Sequence, residues 1–428
     1  MVMSNTQSIT PSKLASHNSL SLTKEESNHA RREVRRHRMI AFLLVLPLLI
    51  FLAFAFVAPI GTMLHRGFYN PVVADLLPDT IQELETWDRK GLPNEALLTR
   101  FAIDLKRLAK NRKSGKLAEE INRNMPGTSS VVKSTARKLR SISDADLKAN
   151  GSNILLKAHK KWNSPEIWLA LQKSGKVYVD TNYLTALDLE RNYDGDLQVR
   201  ESAKIYLQLY SKTLRLALII TLSCLILGYP LAYFLANAPA KKSNMLMVFV
   251  LLPFWTSLLV RTTSWIALLQ TNGVVNSFLM GVGITSEPLD MLYTEFSTIV
   301  AMTHILLPFM ILPLYSVMKG IDPSYLRAAL SMGARPIPAF FQVYLPNTLP
   351  GLSAGALLVF IISVGYYITP ALVGGTDGQM ISNIIAFHMQ QSNNWGLAAA
   401  LGTLLLILIL TLYWLYDRFV GASNIKLG

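Results

Sequence analysis

Six apolar runs, each near or above the roughly 20 residues that a helix needs to cross a bilayer, constrain this chain more than any other feature. They lie at Met39–Leu64, Leu214–Ala236, Asn244–Gln270, Phe296–Met318, Leu352–Val373 and Gly396–Val420. A soluble core cannot absorb that many unbroken apolar segments, so the sequence predicts an all-α polytopic membrane protein with six transmembrane helices. Several runs carry interior breakers: Gly228-Tyr229-Pro230, Pro253, Pro308, Pro313 and Pro370. Neighbouring helices or water must satisfy the backbone groups these residues release. The small residues Ser353, Ala354, Gly355 and Ala356 allow close helix approach.

Charge gives the direction of the runs. The chain is basic, with net charge +14 over 428 residues. Short segments on one side hold 14 Lys/Arg, seven of them in the polar tail 1–38, the rest including Lys241, Lys242, Lys319, Arg327, Arg335, Arg418 and Lys426. The loops 271–295 and 374–395 on the other side hold none. This bias predicts cytoplasmic N- and C-termini, with 1–38 and 421–428 as cytoplasmic tails. The same distribution argues against nucleic acid as a partner and for contact with membrane lipid. The single cysteine, Cys224, lies inside an apolar run, so no intrachain disulfide forms, and a small buried side chain is the plain reading.

Residues 65–213 differ in kind. They carry 25 Lys/Arg and 18 Asp/Glu and no spanning run. Apolar residues recur at helical spacing in Ala96–Leu108, Leu117–Ile121, Ile154–Trp162 and Ile167–Leu171, and Val177–Tyr183 has the composition of a short strand. At this length the segment can bury a small core of its own. It predicts a mostly helical extracytoplasmic domain inserted between the first and second spans, with a basic face that is solvated, docks a partner or lies near anionic lipid.

Between the fourth and fifth spans lies Ile321–Gly351, amphipathic and punctuated by proline. Asp322-Pro323 is a helix start, because a capping side chain precedes a proline where no N–H is needed. Gly333 supplies a stop. A second short turn is expected over Ala339–Leu345, ending at Pro346. The outcome is a helix–turn–helix elbow on the cytoplasmic side. No phosphate-binding loop, metal-spaced His/Cys/Glu cluster or nucleophile motif occurs, so catalysis within this chain is not expected.

The elbow resembles the EAA loop of ATP-binding-cassette importer permeases. Arg327-Ala328-Ala329, Gly333 and Val343-Tyr344-Leu345-Pro346 keep both spacings of that loop, while Arg327 replaces its glutamate. Leu251–Trp265, Gly228–Tyr233 and Tyr366–Gly375 resemble permeases of the spermidine/putrescine type. The resemblance covers Met39–Leu64 weakly and about Tyr206–Val420 well, and leaves out 65–213. It implies the type I importer permease fold in a bacterial inner membrane, with core 214–420. It implies a cytoplasmic ATPase dimer, a second permease subunit and a periplasmic solute-binding protein as partners. The chain itself needs no cofactor, since ATP and Mg bind the partner ATPase. Coupling falls to Arg327, Ala328, Ala329, Gly333, Pro338, Val343, Leu345 and Pro346. The solute expected is a polyamine or a related amine or amino-acid-like compound.

Within the spans, Trp255, Arg261, Trp265, Tyr366 and Tyr367 are the candidates for a path or gate. A charge inside a span marks a functional candidate. Counting 19 residues from Lys242 along a straight helix puts Arg261 roughly 28 Å away, near the far interface. Arginine repels a cationic solute, so a gate or interhelix bond suits it better than direct contact, and snorkelling to the interface remains open. Trp255 and Trp265 can attract an amine through their ring faces, or serve as interfacial or packing residues. His304 reads as a packed, hydrogen-bonded residue. Two other readings stay open: a membrane-anchored sensor or assembly factor working through 65–213, and a secondary transporter, whose usual intramembrane acids are missing here.

Overall fold

The computed structural model describes residues 24–192, 195–200 and 204–420, with only the backbone at 24–32 and 419–420. The terminal segments 1–23 and 421–428, expected as parts of the cytoplasmic tails, lie outside the described residues. The chain forms two compact units divided between Thr62 and Met63. The first is a helix, α1 (Lys24–Leu52), that passes through a π-helical turn at Ala53–Val57 into α2 (Ala58–Phe68). Apolar residues occupy every side of it over Met39–Leu64, the pattern of a helix surrounded by lipid.

From Met63 onward the first part is helical and has its own core. Its elements are α3 (Val72–Leu76), α4 (Pro78–Glu85), α5 (Glu95–Lys110), α6 (Ser114–Asn124), α7 (Ser129–Arg140), α8 (Asp144–Ala158), α9 (Pro165–Gly175) and α10 (Thr181–Ala186). Each of the helix-spaced stretches begins within one of these, and the last turn of Ile154–Trp162 is 3-10. Asn94 caps α5 by accepting from the Leu97 N–H at 2.8 Å. At the centre Phe101, Trp162 and Trp168 meet with centroids 5.1–5.5 Å apart. Both indole N–H groups are satisfied, by Thr135 Oγ1 at 2.9 Å and by the Trp162 carbonyl at 3.1 Å. Buried Lys106 bonds the Asp144 carboxylate and the Ile142 carbonyl.

The strand expected at Val177–Tyr183 does not form. Tyr178 makes one isolated bridge to Tyr69, and α10 starts at Thr181. The two described strands, β1 (Leu189–Arg191) and β2 (Leu197–Val199), make a small antiparallel hairpin instead. Beyond them comes α11 (Tyr206–Asn237), which starts eight residues before its apolar run. Asp188 causes the early start: its carboxylate accepts from the backbone N–H groups of Ile205, Tyr206 and Leu207 at 3.2, 3.1 and 2.8 Å. An anionic cap of this kind favours the positive end of a helix.

The membrane part comprises α11, α12 (Ala240–Trp255), α13 (Leu258–Leu269), α14 (Val274–Gly281), α15 (Glu295–Gly320), α16 (Pro323–Ser331), α17 (Pro336–Ala339), α18 (Leu345–Gly365), α19 (Ile368–Val373), α20 (Ile381–Gln390) and α21 (Trp395–Val420). Helix α15 is central and packs on α11 and α18. Glycine permits this closeness. A Cβ on Gly355 would lie 3.0 Å from Met310 Sδ, and one on Gly351 would lie 2.9 Å from the Pro313 carbonyl oxygen. Gly351 and Gly355, one turn apart, therefore form the contact face, whereas Ala354 is exposed.

Among the described residues five helices are long and apolar enough to span, and the bent pair Ala240–Trp255 with Leu258–Gly281 supplies a sixth. The single helix expected over Asn244–Gln270 is corrected by that bend. Its arms meet at 97°, and Thr256 and Ser257 are extended at the corner. Pro253 cannot donate to the Phe249 carbonyl, which weakens the helix just before the corner. The fifth run is also broken. Helix α18 ends at Gly365, Tyr366 is extended, and α19 resumes at Ile368. Pro370 has no N–H for the Tyr366 carbonyl. That carbonyl accepts from Ser382 Oγ at 2.7 Å instead.

Candidate functional site: two broken helices and an elbow

The elbow is built locally. Asp322 Oδ1 accepts from the Ser324 N–H at 2.8 Å, and Pro323 opens α16. These hydrogen bonds from Ser324, with Arg327 nearby, hold the Asp322 carboxyl below its ordinary range. Gly333 ends the helix at φ +89°, a conformation that costs a side chain about 1–2 kcal/mol. Ala329 and Ala339 are buried on the inner side of the turn. The outer side exposes Met332 and Ile337 at 83% and 72%. Arg327 is exposed, and among the described residues its Nε donates only to its own helix, at the Pro323 carbonyl, 3.4 Å away.

The expected stop at Pro346 is corrected. The chain runs as one helix from Pro336 to Gly365, with Pro346 and Pro350 inside it. A π-helical turn at Phe340–Tyr344 absorbs the first proline: the Leu345 N–H reaches back to the Phe340 carbonyl, and Pro346 has no donor to leave orphaned. The elbow is thereby continuous with a membrane helix. Pro338, Pro346 and Ala328 are exposed, while Val343 and Leu345 are half-buried.

An aromatic cluster that the sequence reading missed ties this turn to α11. Tyr233 lies edge-on to Phe340 and Tyr344 at 5.7 and 5.2 Å, and Phe340 stacks on Tyr344 at 5.6 Å. Tyr229 adds an edge contact at 6.2 Å and a hydrogen bond to Thr348 at 3.1 Å. The available signal was aromatic spacing: Tyr229/Tyr233 and Phe340/Tyr344 are each four apart, so each pair shares a helix face. Lys319 Nζ, at the end of α15, donates to the Ala236 carbonyl at 3.2 Å.

Deeper in the membrane part, the two helix breaks are lined by polar groups. Trp265 Nε1 donates to His304 Nδ1 at 3.2 Å, with the rings 5.7 Å apart and edge-on. Arg261, one turn before Trp265, lies within electrostatic range of both His304 and Tyr366. Among the described residues its Nε is buried without a hydrogen-bond partner, as are the hydroxyls of Thr303, Ser363 and Thr369. Buried polar atoms normally find partners. Four of the eight unpartnered atoms among the described residues lie on the packed helices α13, α15, α18 and α19. Tyr367 stands at the break, where its carbonyl accepts from Asn383 Nδ2 at 2.7 Å.

Trp265 and His304 are thus brought together, with Arg261 one helical turn before Trp265. Trp255 is not: it sits on the other arm of the bend, 74% exposed. The straight-helix count for Arg261 fails for the same reason, because the corner lies between it and Lys242.

This is the architecture of a membrane transport subunit, with spans broken at mid-chain around a polar site and an amphipathic elbow joined rigidly to one of them. The binding-protein-dependent transport system inner membrane component family matches residues 228–422. The spermidine/putrescine transport system permease protein PotB of Escherichia coli is 34% identical over 251 residues, 57% of this chain and 91% of the relative. Its Haemophilus influenzae counterpart is 36% identical over 222 residues, 52% and 78% respectively. A solved bacterial alginate transporter, in complex with an alginate pentasaccharide-bound periplasmic protein, shares 18% identity over 51% of this chain and 79% of its own, with a TM-score of 0.42. The chain belongs to the binding-protein-dependent transport system inner membrane components, as a permease of the ATP-binding-cassette importers. It is a multi-pass, non-catalytic membrane subunit of the spermidine/putrescine type, and ATP hydrolysis is the work of a partner ATPase.

Proposed function

We propose that this permease passes a polyamine or a related amine through the site between the two broken helices. The observation that carries this reading is the 34% identity to the spermidine/putrescine permease across 91% of that relative's length. The geometry supports it. Helix α18 ends at the break, and the negative end of a half-helix favours a cation. Trp265 and Tyr366 offer ring faces to an ammonium group. No acid is needed, because aromatic faces, hydroxyls and carbonyls share the charge. Arg261 acts as a gate, a resident cation near the place where the solute's ammonium sits, displaced when the path opens.

Partner contacts follow from the elbow. Ala328, Ala329, Gly333, Pro338, Val343, Leu345 and Pro346 shape a surface that enters a cleft on one copy of an ATPase dimer. Met332 and Ile337 are its exposed apolar tip. Arg327 replaces the family's acid, so its partner on the ATPase is an acid. A second permease subunit completes the pore, and a periplasmic binding protein delivers the solute. Both termini face the cytoplasm, and 65–213 lies on the opposite side of the membrane.

The test is uptake of labelled putrescine and spermidine by cells that lack other polyamine uptake and express the chain with its ATPase, partner permease and binding protein. Saturable uptake, reduced at least tenfold by Trp265→Ala and Tyr366→Ala at equal membrane levels, supports the reading. Uptake of neither amine, or uptake indifferent to both substitutions, contradicts it.

A further inference from the structure

A cavity of about 780 Å³ opens where the helical domain meets the ends of the membrane helices. One wall comes from α6 and the end of α9. The other comes from the end of α2, the start of α11 and the α20–α21 connection. Its charge is lopsided. Six cationic side chains line it, Arg66, Lys116, Arg123, Lys173, Lys176 and Arg200, against the three acids Glu119, Glu120 and Glu190. One acid is already committed: Glu120 is buried, bonded to Arg123, and accepts from Asn70 Nδ2 at 2.9 Å. Arg123 also donates to the Asn393 carbonyl at 3.1 Å, and Arg66 rests on the Trp395 ring at 5.7 Å.

Arg200, just before α11, has no ion pair among the described residues, and Lys116, Lys173 and Lys176 line the wall on the side of the helical domain. Among the described residues none of them has a carboxylate within ion-pair distance. They come from two different segments, so they are not the solvated stripe of a single helix. Like charges facing one concavity repel each other and concentrate anions there. A second cavity of about 500 Å³ adjoins Lys173 and Lys176, and in it Arg191 is paired with Asp180, so the unpaired charge stays with the lysines.

Position narrows the ligand. The floor lies where one spanning helix ends, at Phe68, and two others begin, at Tyr206 and Trp395. Tyr69, Tyr206 and Trp395 line it, and such aromatics sit at headgroup level. Lysine is a point-charge binder of phosphate. We propose that this cavity binds a phosphate group, bridging the lysines of the helical domain to the membrane helices. A cationic solute is repelled there, so the site is distinct from the amine path, and it stands whether or not the amine reading does.

Two sources of phosphate exist, an anionic lipid headgroup and a free phosphate. The full-length chain is purified in detergent and stripped of lipid. Native mass spectrometry then titrates phosphatidylglycerol against phosphatidylcholine, and thermal melting titrates inorganic phosphate against chloride at equal ionic strength. The cavity variant Lys116→Gln/Lys173→Gln/Lys176→Gln is compared with Lys133→Gln/Lys157→Gln/Lys160→Gln, which removes the same charge outside the cavity lining. The proposal expects one saturable phosphate ligand, bound at least about tenfold more weakly by the cavity variant and unchanged by the control. Saturation by phosphatidylglycerol alone identifies the lipid, and saturation by inorganic phosphate identifies the free anion. Saturable binding of neither, or equal losses in the two variants, overturns the proposal.

Discussion

The helical domain and the membrane part solve packing in opposite ways. The domain buries large rings, Phe101, Trp162 and Trp168, and gives both indoles partners. The membrane part brings backbones together at Gly351 and Gly355 and leaves Arg261, Thr303, Ser363 and Thr369 with polar atoms unpartnered. In water, apolar area removed from solvent stabilises a fold. In lipid that gain is missing, so close contact between helices must replace it. Unmet polar groups are the cost of a site; among the described residues four of the eight lie on the helices around the two breaks, and the other four are at Trp87, Thr285, Tyr344 and Tyr416.

The contrast can be broken most sharply in the domain. Trp168→Ala is expected to destabilise it by about 3–5 kcal/mol. Limited proteolysis of the full chain should then cut within 72–186 and leave the α11–α21 region resistant. Loss of both together would show that the two cores are not independent. Next comes the helix contact: Gly355→Leu forces a side chain against Met310 and should cost about 1–3 kcal/mol, seen as a lower melting temperature of the detergent-solubilised chain. At the elbow, Gly333→Val meets a positive φ and should cost about 1–2 kcal/mol locally, with ATPase association weakened and the melting temperature little changed.

The smallest effect is on pH. The hydrogen bond and charge of Lys106 hold the Asp144 carboxyl below its ordinary value. A carboxyl lowered in the folded state stabilises above its unfolded value, near 3.9, and that contribution is lost as pH falls through the folded value. Denaturant midpoints of the domain should therefore drop below about pH 4, and Asp144→Asn should flatten that drop. An unchanged pH profile in the variant would remove Asp144 from the account.

These two regions were also unequally legible. Periodicity located the domain's helices because a half-buried helix in water must alternate its faces. It misread Val177–Tyr183, whose β-branched residues serve a single bridge and a helix start rather than a ladder. Apolar length located the spans but not their breaks. Pro253 and Pro370 were visible, yet whether a proline kinks, breaks or is absorbed depends on what donates to the freed carbonyl. Ser382 completes the break at Tyr366, while a π-helical turn carries the chain through Pro346. Trp265 and Tyr366 were legible as intramembrane aromatics, and the meeting of Trp265 with His304 depends on the 97° corner. Trp255 looked equivalent and falls on the wrong arm. The Tyr229, Tyr233, Phe340 and Tyr344 cluster needed the tertiary approach of α11 to the elbow.

The most direct test of the central claim, an amine-specific permease driven through its elbow, is ATP hydrolysis by the complete assembly in liposomes. The chain, its ATPase, the partner permease and the loaded binding protein are reconstituted, and hydrolysis is followed as spermidine is added. The account predicts that spermidine raises the rate at least several-fold, and that Gly333→Val abolishes this response. Hydrolysis indifferent to both the amine and the elbow would contradict it.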